Sequence, residues 1–142
     1  MALTRADVMA LLERGSPLRL NGQDLSGADL SGLGLASADF SYATLTSTRF
    51  ASADLSGAFL WSVEARGADF SDARLVGAQL GTANFIQARF DRADLSHAKL
   101  LGATLAGASL REVRLDGAVL DGAAFDGADV SGATKGGAPW RP

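Results

Sequence analysis

The chain repeats with a period of five residues. From Leu20 to Phe125 every fifth residue is Leu or Phe, and Ala65 is the only exception. This period matches neither the 3.6-residue period of a helix nor the two-residue period of a strand, so the repeat itself is the structural unit. We call the Leu or Phe position the centre of each repeat, and we predict that it points into a core.

A second position in each repeat is small. The residue two before the centre is Ala in 18 of the 23 positions spaced by five from Gln23 to Ala133. In one repeat the sizes are exchanged, because Val63 occupies the small position before Ala65. An exchange that keeps volume is expected where both side chains fill one interior. The two positions are therefore predicted to share the core.

The residue two after the centre is Gly in twelve repeats, which lie mostly near the two ends of the array. Glycine at this place suits a type II turn, whose third residue needs a positive φ. The middle repeats carry other residues instead, and for them we expect turns of a different kind. Those residues are Ser37, Tyr42, Ser47, Ser52, Asp72, Thr82, Gln87, Arg92 and His97.

Tandem copies such as Ala28-Asp29-Leu30, Ala38-Asp39-Phe40 and Ala93-Asp94-Leu95 resemble the pentapeptide-repeat family. The resemblance covers residues 18–134. It implies an all-β solenoid, a right-handed quadrilateral β-helix in which four repeats make one coil and the array makes about six coils. Residues twenty apart in the sequence would then lie above one another on the outside of the rod.

Residues 1–17 and 135–142 lie outside the repeats. Thr4 and Asp7 have capping-box spacing, and the apolar residues at 8, 11 and 12 follow helical spacing, so a short N-terminal capping α-helix is expected over 4–14. Val130 is the last apolar centre. Trp140, in the C-terminal tail, falls on a centre position, and we expect it to fold over the last coil or to meet a second copy there.

Composition excludes several classes of protein. A net charge of −3 and a pI of about 5.0 argue against direct nucleic-acid binding, and the absence of cysteine excludes disulfides and thiolate metal sites. No apolar run near the start is long enough to span a membrane. We expect a cytoplasmic protein without a cofactor or a bound metal.

If each coil takes twenty residues, charged residues on the outside of the rod form two columns. One contains Asp29, Arg49, Asp69 and Arg89, and the next contains Asp54, Arg74, Asp94 and Arg114. Opposite charges at this spacing cancel beyond the screening length of ~8 Å. The resemblance also implies an alternative function, because pentapeptide-repeat proteins of the quinolone-resistance kind are dimeric acidic rods that imitate DNA and bind type II topoisomerases such as gyrase. The alternation predicted here is unlike a uniformly acidic rod.

One side of the predicted rod collects large apolar residues at outward positions. Because exposed aromatic patches are typical of interfaces, this side is a candidate surface for a protein partner or for homodimer formation. Two other interpretations remain open: the N-terminal helix or the tail covers these residues, or they have no role. The residues are Tyr42, Phe59, Trp61, Leu101 and Val119.

The sequence contains no recognisable catalytic motif. His97 is the single histidine, and a packed rod offers its carboxylates no pocket in which to shift a pKa. We therefore predict a non-enzymatic protein-interaction module or scaffold, whose partner the sequence does not name. The contact would use the apolar side of the rod or its C-terminal end, and binding to a type II topoisomerase is the alternative.

Overall fold

The computed structural model describes residues 2–15 and 17–142. Parallel bridges join the residue before each centre to the residue twenty positions further on, from Arg19 with Asp39 to Arg114 with Thr134. One coil of the solenoid therefore takes twenty residues, or four repeats. The predicted charge columns follow these bridges, since Asp54 pairs with Arg74 and Arg74 with Asp94.

Regular strands are rare in this solenoid. In the described part of the chain they are β1 (Thr134–Lys135) and β2 (Ala138–Pro139), which form an antiparallel hairpin after the last coil. Elsewhere each repeat contributes a single bridge, because two of its five residues form a turn. The coils are nevertheless continuously bonded: each centre from residue 20 to residue 115 donates its N–H to the carbonyl nineteen positions on, as Leu55 does to Arg74 at 2.7 Å.

Helix α1 (Arg5–Glu13) lies over the first coil. Thr4 caps it, and Asp7 completes a capping box. The Leu3 N–H donates to the Asp24 carbonyl at 2.7 Å, and the Arg5 guanidinium donates to two carbonyls of the first coil. Val8 is fully buried in the core. Across residues 2–15 and 17–142, no helix has the length and apolar character needed to cross a membrane.

The core is the column of centres and small residues inside the rod. Phenylalanine rings stack along one inner side, Phe50 on Phe70 at 5.0 Å and Phe70 on Phe90 at 4.9 Å between centroids. Val63 and Ala65 are both buried, as their exchange of sizes predicted. The interior therefore accepts either order of large and small residues within one repeat.

The aspartates before the centres have a structural role besides their charge. Their carboxylates accept a hydrogen bond from the N–H two residues on, for example Asp24 from Ser26 at 2.9 Å and Asp94 from Ser96 at 3.0 Å. In both repeats the serine hydroxyl donates to the same oxygen at 2.6 Å. This local bond explains the recurrence of Asp, centre and Ser in sequence.

The prediction of different turns in the middle of the rod is wrong. Non-glycine residues two after the centre adopt the same left-handed backbone as the glycines, with φ of 56° at Ser47 and 63° at Tyr42. Their N–H groups donate to the next coil, Ser47 to Arg66 and Tyr42 to Trp61. Because every coil needs this bond, the turn keeps one shape whichever side chain occupies it.

These strained turns predict a stabilising substitution. Ser47→Gly should raise the free energy of unfolding by about 0.5–1 kcal/mol, because glycine adopts a positive φ without the steric penalty of a Cβ. Thr46→Gly is the matched control in the same turn: Thr46 is not among the positive-φ residues, so its replacement should destabilise. Guanidinium denaturation measures both, and a loss of stability in Ser47→Gly would contradict the strain at this turn.

Candidate functional site

The exposed apolar residues share one side of the rod. We call this side the aromatic face; it comprises the outward residues that flank the centres Leu20, Phe40, Leu60, Leu80, Leu100 and Leu120. Among described residues the large apolar side chains classed as exposed are Met9 in α1 and four residues of this face: Tyr42 (71%), Phe59 (42%), Leu101 (50%) and Val119 (39%). Over the same described residues, the other three faces have none.

Tyr42 is unfavourably placed for stability alone. It is the most exposed of these residues, so its ring gains little from burial within the chain. It also holds a φ of 63°, a backbone conformation that bulky residues rarely adopt. The φ value is shared with the other non-glycine turn residues, so it is the exposure of the ring that distinguishes Tyr42 from them.

Trp61 is oriented differently from the other members of the face. The sequence places it outward beside Leu60, but its ring lies flat along the rod over Gly81, and it is half-buried. A Cβ on Gly81 would clash with that ring, so glycine is needed for this packing. Beside the ring, the hydroxyls of Ser62 and Thr82 share a hydrogen bond of 2.7 Å. The middle of the face is thus flat and ordered.

The two ends of the rod differ. At the first coil, Leu20, Leu25 and Leu30 are almost completely buried under α1 and the coil above. At the last coil, Leu120, Phe125 and Val130 are only half-buried. Their N–H groups donate no backbone hydrogen bond within the described residues, unlike those of every earlier centre. We call this surface the open end.

The C-terminal hairpin covers part of the open end. The Trp140 ring packs edge-on against Phe125, with 5.0 Å between ring centroids. The backbone N–H of Trp140 donates to the Ala133 carbonyl at 2.9 Å. Lys135 occupies a centre position, and its ammonium donates to the Ala118 carbonyl at 3.0 Å instead of entering the core. A groove of about 590 Å³ remains between Val130 and Trp140.

Ion pairs are concentrated on the face that is formed by the outward residues flanking the centres Leu30 to Val130. Arg92 binds Asp72 at 2.9 Å with a second contact of 3.1 Å, and Arg111 binds Asp129 at 2.6 Å. The Ser131 hydroxyl, followed by the Arg111 guanidinium, lowers the pKa of Asp129 to about 2. This face holds its charges in local pairs, and the negative field along it is correspondingly weak.

The side chains on these surfaces are suited to packing, hydrogen bonds and ion pairs. No group of metal-ligating residues occurs within the described ranges. His97 lies over Gly117, at a turn position on the surface. The apolar residues that sequence analysis placed on one face do lie together. Unpaired edges are expected at the ends of a solenoid, and the structure identifies the N–H groups of Leu120, Phe125 and Val130 as those left unpaired at the open end.

Comparison with known proteins identifies the repeat. A family model for pentapeptide repeats matches eight copies, over residues 19–50, 66–102 and 98–134. A solved pentapeptide repeat protein from the thylakoid lumen of Arabidopsis thaliana is 30% identical, with 92% of this chain and 79% of that chain covered and a TM-score of 0.51. No curated protein sequence matches this chain.

Two further solved structures are similar. A pentapeptide repeat protein from Nostoc Pcc 7120 is 24% identical, with 92% of this chain and 98% of that chain covered and a TM-score of 0.57. Trypsin-treated QnrB1, a plasmid-mediated fluoroquinolone resistance protein, is 22% identical, with 79% and 77% covered and a TM-score of 0.33. The second likeness is too loose to support an argument about function.

Stability should fall in acid through the anchored carboxylates. The native pKa of Asp129 is about 2, below the value of ~3.9 in an unfolded chain, so its contribution is complete above the unfolded pKa and is lost as pH falls through the native one. Asp129→Asn should lose less stability between pH 5 and pH 2 than the wild type.

Asp126→Asn is the control for this pH experiment. It removes a charge from the same coil, but its side chain makes no hydrogen bond or ion pair within the part of the chain that the structure describes. Chemical denaturation at a series of pH values measures the slopes. Equal acid slopes for Asp129→Asn and the wild type would show that the Asp129 contacts contribute nothing.

Proposed function

We propose that this chain, which belongs to the pentapeptide-repeat family, is a non-enzymatic interaction module or scaffold. Its contact surfaces in this proposal are the aromatic face and the open end. The partner is a protein, either of another kind or a second copy of this chain. No cofactor takes part, and a cytoplasmic location stays a prediction.

The observation that carries this proposal is the segregation of exposed apolar side chains. On the solenoid, all four of them lie on one face, while the other faces hold ion pairs and hydrogen-bonded aspartates. If exposed apolar residues were distributed at random, they would be expected on more than one of the four faces. Aromatic residues concentrated at one place are typical of protein interfaces.

A non-enzymatic role is supported by the way the interior is filled. The centres and small residues occupy the rod completely, so its described part has no internal pocket in which a carboxylate or hydroxyl could be desolvated and activated. The groove at the open end is itself open to solvent. Family membership indicates no catalytic activity.

The open end supports an end-on contact. Leu120, Phe125 and Val130 leave apolar surface half-exposed beside unpaired N–H donors, which is the combination that an added strand or an added coil satisfies. Trp140 covers only the Phe125 side of this surface. We propose that Val130 and the groove beside Trp140 receive such a partner.

Binding to a type II topoisomerase is the weaker alternative. A protein that imitates DNA must present a dense row of negative charges, since the duplex carries one charge per ~1.7 Å. Here Arg49 lies over Asp29 at 3.7 Å, and Arg89 and Arg114 interrupt the acidic residues of later coils. The distribution of charge favours contact through the apolar surfaces instead.

Replacing the aromatic face should abolish binding without unfolding the rod. In Phe59→Ser/Trp61→Ser both side chains lie outside the core, so we expect the melting temperature to fall by no more than a few degrees. Self-association and partner capture should both be lost. Light scattering measures the first, and affinity capture from the native host measures the second.

The control for this prediction is Val76→Ser/Ile86→Ser. Both residues lie directly after a centre, as Trp61 does, but on the two faces that adjoin the aromatic face. This variant should associate and capture proteins as the wild type does. If the two variants behave alike, the aromatic face is not the contact surface.

The alternative makes its own prediction. Because charges are paired along the rod, we expect micromolar protein to leave the supercoiling activity of purified gyrase and its sensitivity to quinolones unchanged. A supercoiling assay with and without drug measures both. A change in either would favour the topoisomerase alternative over the module proposed here.

A further inference from the structure

We propose that the aromatic face binds the same face of a second copy of this chain. The two rods lie antiparallel, and the two-fold axis passes between Leu60 and Leu80. This inference rests on the proposed function, because it names the partner and the register of the aromatic face. It does not involve the open end.

The charges of the face are few and unpaired. Its outward positions carry four charged residues, Arg19, Asp39, Lys99 and Asp121. None belongs to the ion pairs found among the described residues, although Arg19 lies only one coil from Asp39. Asp39 and Lys99 lie in one column, three coils apart, which is roughly 14 Å at the spacing of bonded strands. They are too far apart to neutralise each other within one rod.

The two-fold axis brings these charges together. An axis in the plane of contact and perpendicular to the rods maps each column onto itself and reverses the order of the coils. Asp39 then faces Lys99 of the second copy, and Lys99 faces its Asp39. The same operation brings Arg19 to the coil that carries Asp121. Packed sheets stand ~10 Å apart, a gap that Asp and Lys side chains together can bridge.

Other registers do not pair the charges. A shift of one coil in one direction places Lys99 opposite Arg19 of the second copy, and a shift in the other direction brings Asp39 to the coil of Asp121. A parallel arrangement places Asp39 opposite Ser41 and Lys99 opposite Leu101. The antiparallel register with its axis between Leu60 and Leu80 is the one that matches all four charges.

Shape agrees with the same register. Tyr42 faces Gly102 of the second copy, which has no side chain, and Leu101 faces Ser41. Each Trp61 ring reaches from its own coil to Gly81 in the next coil, across the axis, so the two rings lie beside each other there. Tyr42 and Leu101 thus oppose small residues, while Phe59 lies opposite Gln79 and Val119 opposite Arg19 of the second copy. The exposed Tyr42 gains a contact that its own chain does not supply.

The complex should be weak and reversible. One face of so narrow a rod buries less than the ~1,200–2,000 Å² of a standard interface. We therefore expect a dissociation constant in the micromolar to millimolar range. A face that associates weakly is suited to assembly that depends on local concentration.

Charge reversal in mixed samples tests the register. In a dimer of Asp39→Lys, the new lysine of each copy faces Lys99 of the other copy. In a dimer of Lys99→Asp, the new aspartate of each copy faces Asp39 of the other copy. Each should weaken the dimer at least about tenfold. In an equimolar mixture, the lysines at positions 39 and 99 of the Asp39→Lys chain face the aspartates at positions 99 and 39 of the Lys99→Asp chain. Dimers should therefore return as heterodimers. Sedimentation velocity at increasing protein concentration measures all three samples.

Three further variants keep the test decisive. Asp39 accepts the Ser41 N–H at 2.9 Å, so Asp39→Asn and Lys99→Gln remove charge with less effect on the fold, and each must also weaken the dimer. Val130→Asp, at the open end, must leave it unchanged. The proposal is overturned if the wild type stays monomeric, if the mixture does not recover, or if Val130→Asp alone dissolves the dimer.

The failure of this register is separable from failure of the proposed function. A monomeric wild type that still captures a partner, and loses it in Phe59→Ser/Trp61→Ser, overturns the antiparallel dimer and keeps the interaction module. A dimer that dissolves only with Val130→Asp shifts self-association to the open end. If every variant keeps both self-association and partner capture, the antiparallel dimer and the proposed function are both overturned.

Discussion

Hydrogen bonds between successive coils set the geometry of every other feature of this rod. Each centre from residue 20 to residue 115 donates its N–H to the carbonyl nineteen positions on, and each turn residue from residue 22 to residue 112 does the same. These bonds fix the coil at twenty residues and hold the turns in one conformation. They also bring each Leu, Phe and Ala onto its counterpart, so that a core forms from side chains no coil could bury alone.

The same bonds make the ends different from the middle. A coil in the middle has bonded neighbours on both sides, while the first and last coils have one. At the N-terminus, α1 closes the first coil through Val8 and through the Arg5 hydrogen bonds to backbone carbonyls. At the C-terminus, the hairpin places Trp140 on Phe125 but leaves Val130 and several N–H groups uncovered. An end of this kind favours contact with another chain.

Function on such a rod is a matter of which face carries which chemistry. Because residues twenty apart are stacked, a substitution every fourth repeat alters one face and leaves the others unchanged. Three faces carry ion pairs or hydrogen-bonded aspartates, and four of the five ion pairs among the described residues, such as Arg92 with Asp72, lie on the face of the centres Leu30 to Val130. The fourth collects Tyr42, Phe59 and Leu101, together with charges that form no ion pair among the described residues. The proposed partner surface accounts for both features.

Side-chain size and polarity at a fixed spacing were enough to predict the five-residue unit, the buried centres, the exchange of Val63 with Ala65 and the grouping of apolar residues on one face. Predicting these features does not require the folded structure, because each depends on a pattern within the amino-acid sequence itself. The positive φ of Ser47 and the Trp61 ring on Gly81 emerged only from the folded rod. Those features depend on what the neighbouring coil presents, and for a residue in one coil that neighbour lies twenty positions away.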